Sequence, residues 1–511
     1  MFPGMPRLTR LLSAALGFLA AGPLPAQAPR PARMASVARA AGTITSEDVF
    51  RRIGIIADDS MLGRDTPSRG LEATASYVAD EFKRFGLKPG GEHGSWFQRY
   101  AITRRKLDVD RSSVVLRGPG GDTPFPLNAR ARLAQGAVPA ALLSGKLVLI
   151  GGAVSAADAA KVPFKGRIVL VVADEMREGT QELLRELVLG GAGAILIPSG
   201  ADSATFASRL AGQARERTAV GADDGPPPIL LLLGSALRTA LAPAGVDLTA
   251  TRGAQTAVVR ELADVSAELG LKEIVVATDS APNTIGVLEG TDPKLRHEYV
   301  LFTAHMDHIG ITPGAADSIN NGADDDASGT VGVIELAEAF SQPGARPRRS
   351  LVFMTVSGEE KGLWGSHYWS EHPTVPIRDV VADINMDMIG RNWADTIVAI
   401  GKEHSDLGAT LERVNRQHPE LRMTAIDDRW PEERFYFRSD HYNFARKGVP
   451  ILFFFNGVHE DYHEPSDEPH KVNALKESRI LRLVFYLGTE VANRTARPRW
   501  NPESFREIVE E

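Results

Sequence analysis

Three carboxylates stand side by side at Asp324, Asp325 and Asp326, in the stretch NGADDDASG, just ahead of an apolar run with helical spacing. Adjacent like charges repel, so such a triplet is tolerated where it is fully solvated or where a cation neutralises it. Four apolar segments in the same half of the chain end on residues that bind metals. YVLFTA (299–304) runs into His305, Asp307 and His308, and SLVFMTV (350–356) into Glu359 and Glu360. VVADINM (380–386) runs into Asp387, and VPILFFFN (449–456) is followed by Asp461, Tyr462 and His463. Near-continuous apolar runs of this length, separated by helical patterns near 328–341, 362–371, 404–417 and 475–493, read as an α/β fold. They predict a mostly parallel sheet covered by helices on both faces. The carboxyl ends of such strands converge on one crevice, so residues far apart in sequence can share a site.

Taken singly, each motif is ordinary. A His-x-Asp after a strand is most often a satisfied histidine, and a Glu-Glu pair is usually a solvated helix start whose charge suits the helix dipole. Asp387 is harder to place in bland terms, because a buried carboxylate without a partner costs on the order of several kcal/mol. Together they are two histidines and several carboxylates in a chain with no cysteine. That set suits Zn²⁺, Mn²⁺ or Co²⁺ better than Ca²⁺, which prefers oxygen alone, and histidine favours zinc. Spacing does not decide which aspartate of the triplet would serve.

The ordered motifs TAHMDHIG, NGADDDASG, SGEEKGLWGS, INMDMIG, RSDHYNFARKGVP and DYHEPSD resemble the di-zinc aminopeptidase family that includes secreted bacterial leucyl aminopeptidases. Glutamate carboxypeptidase and the transferrin receptor ectodomain are its distant relatives. The resemblance covers roughly 46–105 and 282–495 and implies a zinc exopeptidase-like fold with two Zn²⁺ ions, or Mn²⁺ or Co²⁺ in place of one. It implies that His305 and Asp387 bind one zinc, Glu360 and His463 the other, and that Asp325 bridges both. Glu359 would be the general base for a zinc-bridging water, and Asp307 would orient the His305 ring. The peptide after Asp325 would be cis. A tyrosine, Tyr436 or Tyr462, would assist the oxyanion. Asp324 and Asp326 read instead as an acidic helix start with Asp326 near the N-cap. His308, Ser439, Asp440 and His441 read as scaffold and pocket wall, since no G-x-S-x-G elbow presents a nucleophilic serine. Trp430 and the FYF run at 435–437 could line a side-chain pocket or the core, and His459 and His470 read as solvated loop histidines.

The rest of the chain sets the organisation. At 511 residues and 55.1 kDa it exceeds one ordinary core. Formal net charge is −7 with no dense basic stripe, which argues against nucleic-acid binding. Residues 1–28 have Arg7 and Arg10, an apolar run from Leu11 to about Gly22 and Ala26-Gln27-Ala28. This is the layout of a signal peptide, too short to span a bilayer, and it predicts a secreted or periplasmic protein with no stable membrane span. Residues 29–45 read as a flexible lead-in, 46–107 and 281–500 as the catalytic domain, and 501–511 as a tail. Between them, 108–280 alternates short Val/Leu/Ile runs with Gly, Pro and Ala and lacks histidine; it reads as a β-rich insertion. KGRIVLVVAD, GGAGAILIP and PPPILLLLGSAL in it resemble a protease-associated domain. The resulting expectation is an exported metallo-aminopeptidase acting on peptides. Two alternatives share the scaffold: a glutaminyl cyclase with a single zinc, and a glutamate-type carboxypeptidase or dipeptidase, for which Arg429, Arg434 and Arg438 are the candidate carboxylate anchors.

Overall fold

The computed structural model describes residues 30–155, 158, 164–172, 180–210, 212–221 and 225–510; the expected signal peptide lies outside them. Four strands at the centre of a ten-stranded sheet carry the motifs: Ile451–Phe455, Val380–Met386, Tyr299–His305 and Ser350–Val356, adjacent in that order and mutually parallel. Antiparallel strands flank them, Thr396–Ile400 on one side and the long Glu273–Leu288 with Phe97–Leu107 on the other.

The continuous apolar runs are explained by burial on both faces. Val300, Phe302, Ala304, Leu351, Phe353, Ile384 and Phe454 pack into one core with helices Ser46–Ile56, Gly329–Ser341 and Ala474–Asn493. Leu301, Val352, Met354, Phe453 and Phe455 point the other way, to Trp369 and Phe444 on helices Trp364–Glu371 and His441–Ala445. Alternate residues thus feed opposite cores, the period-two signature of a strand. The fully buried Arg52 pairs with Glu335, Glu338 and Glu81, tying Ser46–Ile56 to the helix that follows the aspartate triplet.

A second sheet of eight strands is built from residues 113–270. Its centre is also parallel, Leu143–Gly152, Ile168–Val172, Ala194–Ser199 and Ile229–Leu233; helix Thr180–Leu189 connects the second of these strands to the third, and helix Gly234–Leu241 follows the last. Two boundaries differ from expectation. Glu273–Leu288 is one strand whose pairing continues across 280, from Glu273 opposite Leu107 to Thr284 opposite Phe97, with one register shift between Val275 and Ala277. The composition shift at 281 marks where this strand becomes buried, and the element continues through it. Glu216–Val220 also leaves the expected insertion to pair with Phe97–Leu107.

The lead-in expected to be flexible and the tail both contain helices. Within the lead-in, Arg30–Ala41 is a helix whose Ala40 and Ala41 enter the main core with Ile44. Within the tail, Pro502–Ile508 is a helix capped by Asn501, and Ile508 is buried against the second face of the sheet. Local composition hid these contacts, which are made with distant partners. No helix among the described residues is long and apolar enough to cross a membrane.

Candidate metal centre

His305 ends its strand on a clamped backbone: its N–H donates to Asp326 Oδ2 (3.2 Å), and its carbonyl accepts from the Thr330 hydroxyl (2.7 Å). Its Nε2 lies 3.3 Å from Asp325 Oδ1 and 3.6 Å from Asp387 Oδ1. Asp387 accepts a hydrogen bond from the Ser439 hydroxyl at 2.8 Å. On the far side of Asp325, Oδ2 lies 3.2 Å from His463 Nε2, which is 3.1 Å from Glu360 Oε2. Asp325 therefore offers one oxygen to each of two donor groups.

The residues present fit cations. Ligands about 2.0 Å from a tetrahedral zinc ion are separated by about 3.3 Å, and all four distances cluster around that edge. Asp325 Oδ2 and His463 Nε2 are buried without a hydrogen-bond partner among the described residues, as atoms directed at an ion would be. Burial works to lower the His463 pKa, but the carboxylates of Asp325 and Glu360 push it up to about 10, so the local field favours positive charge.

The triplet resolves into three different environments. Asp324 accepts the Gly390 N–H (2.6 Å) on one oxygen, and the other lies 3.1 Å from His459 Nε2. Asp326 Oδ1 accepts the N–H groups of Gly329 (2.8 Å) and Met388 (3.2 Å), the first being the expected helix-start bond. Asp467 Oδ2 accepts the N–H groups of Asp324 (2.9 Å) and Asp325 (3.1 Å), which pins the turn. The Asp325–Asp326 peptide bond is cis.

Several expectations are corrected. The Asp307 carboxylate does not orient the His305 ring: Nδ1 donates to the Asp307 main-chain carbonyl at 3.1 Å, while the carboxylate stands at 3.7 Å. That carboxylate instead accepts the Glu359 N–H (3.2 Å) and the Thr66 hydroxyl (3.0 Å), so it holds the residue expected to be the base. Tyr436 is buried in the core beside Gly401 and His404 and does not line the cleft, because its short helix Phe435–Phe437 turns that ring inward. Tyr462 does line the cleft, stacked on the His463 ring at 3.8 Å. His459 is buried against Asp324 where a solvated loop residue was expected; the paired carboxylate is what makes its burial tolerable. His470 is exposed.

The site lines an open cleft. His305, Asp325, Glu359, Glu360 and Asp387 form its polar floor, and Met388, Phe435, Phe453, Phe455 and Val458 form an apolar wall. Burial raises the Glu359 carboxyl well above the usual range, with His305 opposing. Arg438 is the one of the three expected anchors on the cleft; Arg429 lies over Trp393 and Arg434 over Phe437. Trp430 stands behind the wall, against Phe435 and Phe455.

Sequence reading missed Arg64 entirely. Its guanidinium, fully buried, donates to the carbonyls of Met306, Ile56, Asn321 and Gly322, stitching the His305 loop to the Asp325 loop. It also left His308 out of the donor set, although His308 Nδ1 lies 2.8 Å from Glu360 Oε1. The HMDH run was the available signal for the latter; Arg64 had none, because its partners are main-chain atoms far away in sequence.

A family model described as Peptidase family M28 matches residues 283–488. That segment is similar to peptidase family M28. It contains His305, Asp325, Glu360, Asp387 and His463. Among similar proteins is the vacuolar membrane protease of Ajellomyces capsulatus, 39% identical over 74 residues, which are 14% of this chain and 7% of that protein. The probable leucine aminopeptidase of Arthroderma otae is 27% identical over 220 residues, 41% of this chain and 58% of that protein. The chain thus spans less than two thirds of either relative. Among solved structures, the aminopeptidase from an Aneurinibacillus species aligns at a TM-score of 0.45 and 18% identity, over 91% of this chain and 98% of that one.

Proposed function

We propose that this protein is an exported zinc aminopeptidase that removes N-terminal residues from peptides, with one zinc at His305 and Asp387, a second at Glu360 and His463, and Asp325 bridging them. The observation that carries this reading is the bridging position of Asp325, whose two oxygens face two separate histidines at 3.3 and 3.2 Å. When bound, such a pair of cations polarises a peptide carbonyl and acidifies water. Glu359, fixed through its N–H by Asp307 and facing the cleft, is the group that takes a proton and returns it to the leaving amine. The Tyr462 hydroxyl offers a donor to the developing oxyanion. The apolar wall suits an apolar N-terminal side chain, in keeping with the similarity to a probable leucine aminopeptidase.

Metal analysis of the purified mature chain, paired with a panel of free and N-blocked aminoacyl substrates, tests the reading. The expected result is two zinc ions per chain and hydrolysis of the free substrates alone. A preference for blocked substrates would overturn it in favour of the glutamate-type carboxypeptidase, which the position of Arg438 on the cleft keeps in view. A single ion at saturation would favour the glutaminyl cyclase. Export rests on the sequence of residues 1–28 and predicts a mature chain beginning at Pro29, readable by N-terminal sequencing.

A further inference from the structure

The structure assigns His308 the role of a positioning residue that donates Nδ1–H to Glu360 Oε1 and so presents Glu360 Oε2 to the metal site; this rests on the two-zinc reading above. The alternative is that His308 is itself a sixth ligand, since Nδ1 also lies 3.6 Å from Asp325 Oδ2 and groups with Asp325 and Glu360. Three observations decide between them.

The His308–Glu360 distance is 2.8 Å, a hydrogen-bond length, whereas the donor pairs that fit ions stand 3.1–3.6 Å apart. The two histidines also use different oxygens of Glu360: His463 faces Oε2 and His308 faces Oε1. One carboxylate is thus oriented from one side and left free on the other. Finally, His308 Nε2 is buried with no partner among the described residues. A metal-bound imidazole carries its proton on the other nitrogen and nearly always donates it. A ligating His308 would therefore bury an unsatisfied N–H, while a donating His308 leaves only a bare lone pair there.

The placement is built into the fold. The His308 N–H donates to the Arg64 carbonyl at 3.3 Å. Its ring lies against Gly322, where a Cβ would fall 2.6 Å from His308 Cδ2, and Gly322 has a φ of +57°, so only glycine suits that position.

The test compares His308→Asn, His308→Gln and His308→Ala in the full-length mature protein, reading zinc stoichiometry and the dissociation constant of the weaker ion by chelator competition. Asparagine places an amide N–H near the Nδ1 position; glutamine places it near Nε2, out of reach of Oε1. All three should fill with two ions at saturation. His308→Ala and His308→Gln should bind the weaker ion roughly 10- to 100-fold less tightly, and His308→Asn should fall within a few-fold of the parent. The assignment is overturned if asparagine loses as much affinity as alanine, which marks a ligand, or if no variant changes it. Fewer than two ions in the unaltered protein would instead bring down the two-zinc reading itself, so the two failures are distinguishable. Should His308→Ala fail to fold, the asparagine–glutamine contrast still decides.

Discussion

The two halves of the donor cluster have similar chemistry and unlike support. His305 and Asp387 sit at the ends of central parallel strands, where the sheet fixes both backbones, and each is held further by a neighbouring side chain or N–H. Glu360 and His463 sit on loops. His463 is 36% exposed, has a φ of +60°, and takes its lateral support from stacking on Tyr462. Side chains on strand ends are pre-organised for an ion; on the loops His308 holds Glu360, but the more exposed His463 must be ordered by the ion. The deep half should therefore bind first and release last, and the outer half should set the exchange rate.

The largest effect belongs to the residue common to both halves. Asp325→Ala should lose both ions and all measurable peptidase activity, seen by metal analysis and by turnover at saturating zinc. If it retained one tightly held ion, the halves would not share a bridge and the contrast between them would dissolve into two independent sites. Glu359→Gln comes next: it belongs to neither half, so both ions should remain while kcat falls roughly 10²- to 10⁴-fold. Near-normal turnover would mean the proton passes through another group.

His463→Ala and Asp387→Ala then separate the halves. His463→Ala should keep one ion per chain through dialysis against a weak chelator and melt within a few degrees of the one-ion parent. Asp387→Ala should leave its remaining ion easily stripped, because the ion would rest on the loop-borne side. Equal retention by the two variants would show that strand-end support confers no advantage.

The same division explains what could be read from sequence. Strands 299–305, 350–356 and 380–386 stand where their apolar runs put them, because burial on both faces keeps the runs mostly apolar, with Thr303, Thr355, Asp383 and Asn385 among the buried exceptions. Which of the strand-end candidates would ligate came from the family resemblance; that His305, Glu360, Asp387 and His463 could share one site followed from the rule that strand ends converge. Asp325 did not: its neighbours are also carboxylates, and they differ only in which distant N–H groups they accept. Arg64, Asp467 and His459 were illegible for the same reason, since each is defined by a partner more than a hundred residues away. The helix at Arg30–Ala41 escaped because its alanines are core residues only once the rest of the domain is present.

The smallest expected effect concerns what holds the deep half in place as pH falls. His441 is fully buried two residues after Ser439, the partner of Asp387, with its ring stacked on Phe453 at 4.2 Å. Its Nε2 donates to the Tyr436 carbonyl at 2.8 Å, and burial pushes its pKa down to about 3. Above the ordinary value of 6.5 the folded and unfolded chains are both neutral there, and His441 adds no pH dependence. Below 6.5 the unfolded chain takes a proton that the folded chain refuses, so stability falls as pH falls, down to the folded value. At about 1.4 kcal/mol per unit, the loss between pH 6.5 and 5 is roughly 2 kcal/mol. In urea unfolding of metal-free protein across that range, the parent should differ from His441→Gln, which keeps an N–H donor but cannot titrate, by this slope, because the other buried titrating groups are common to both. An unchanged slope in His441→Gln would place the acid sensitivity elsewhere and remove His441 from the support of the deep half.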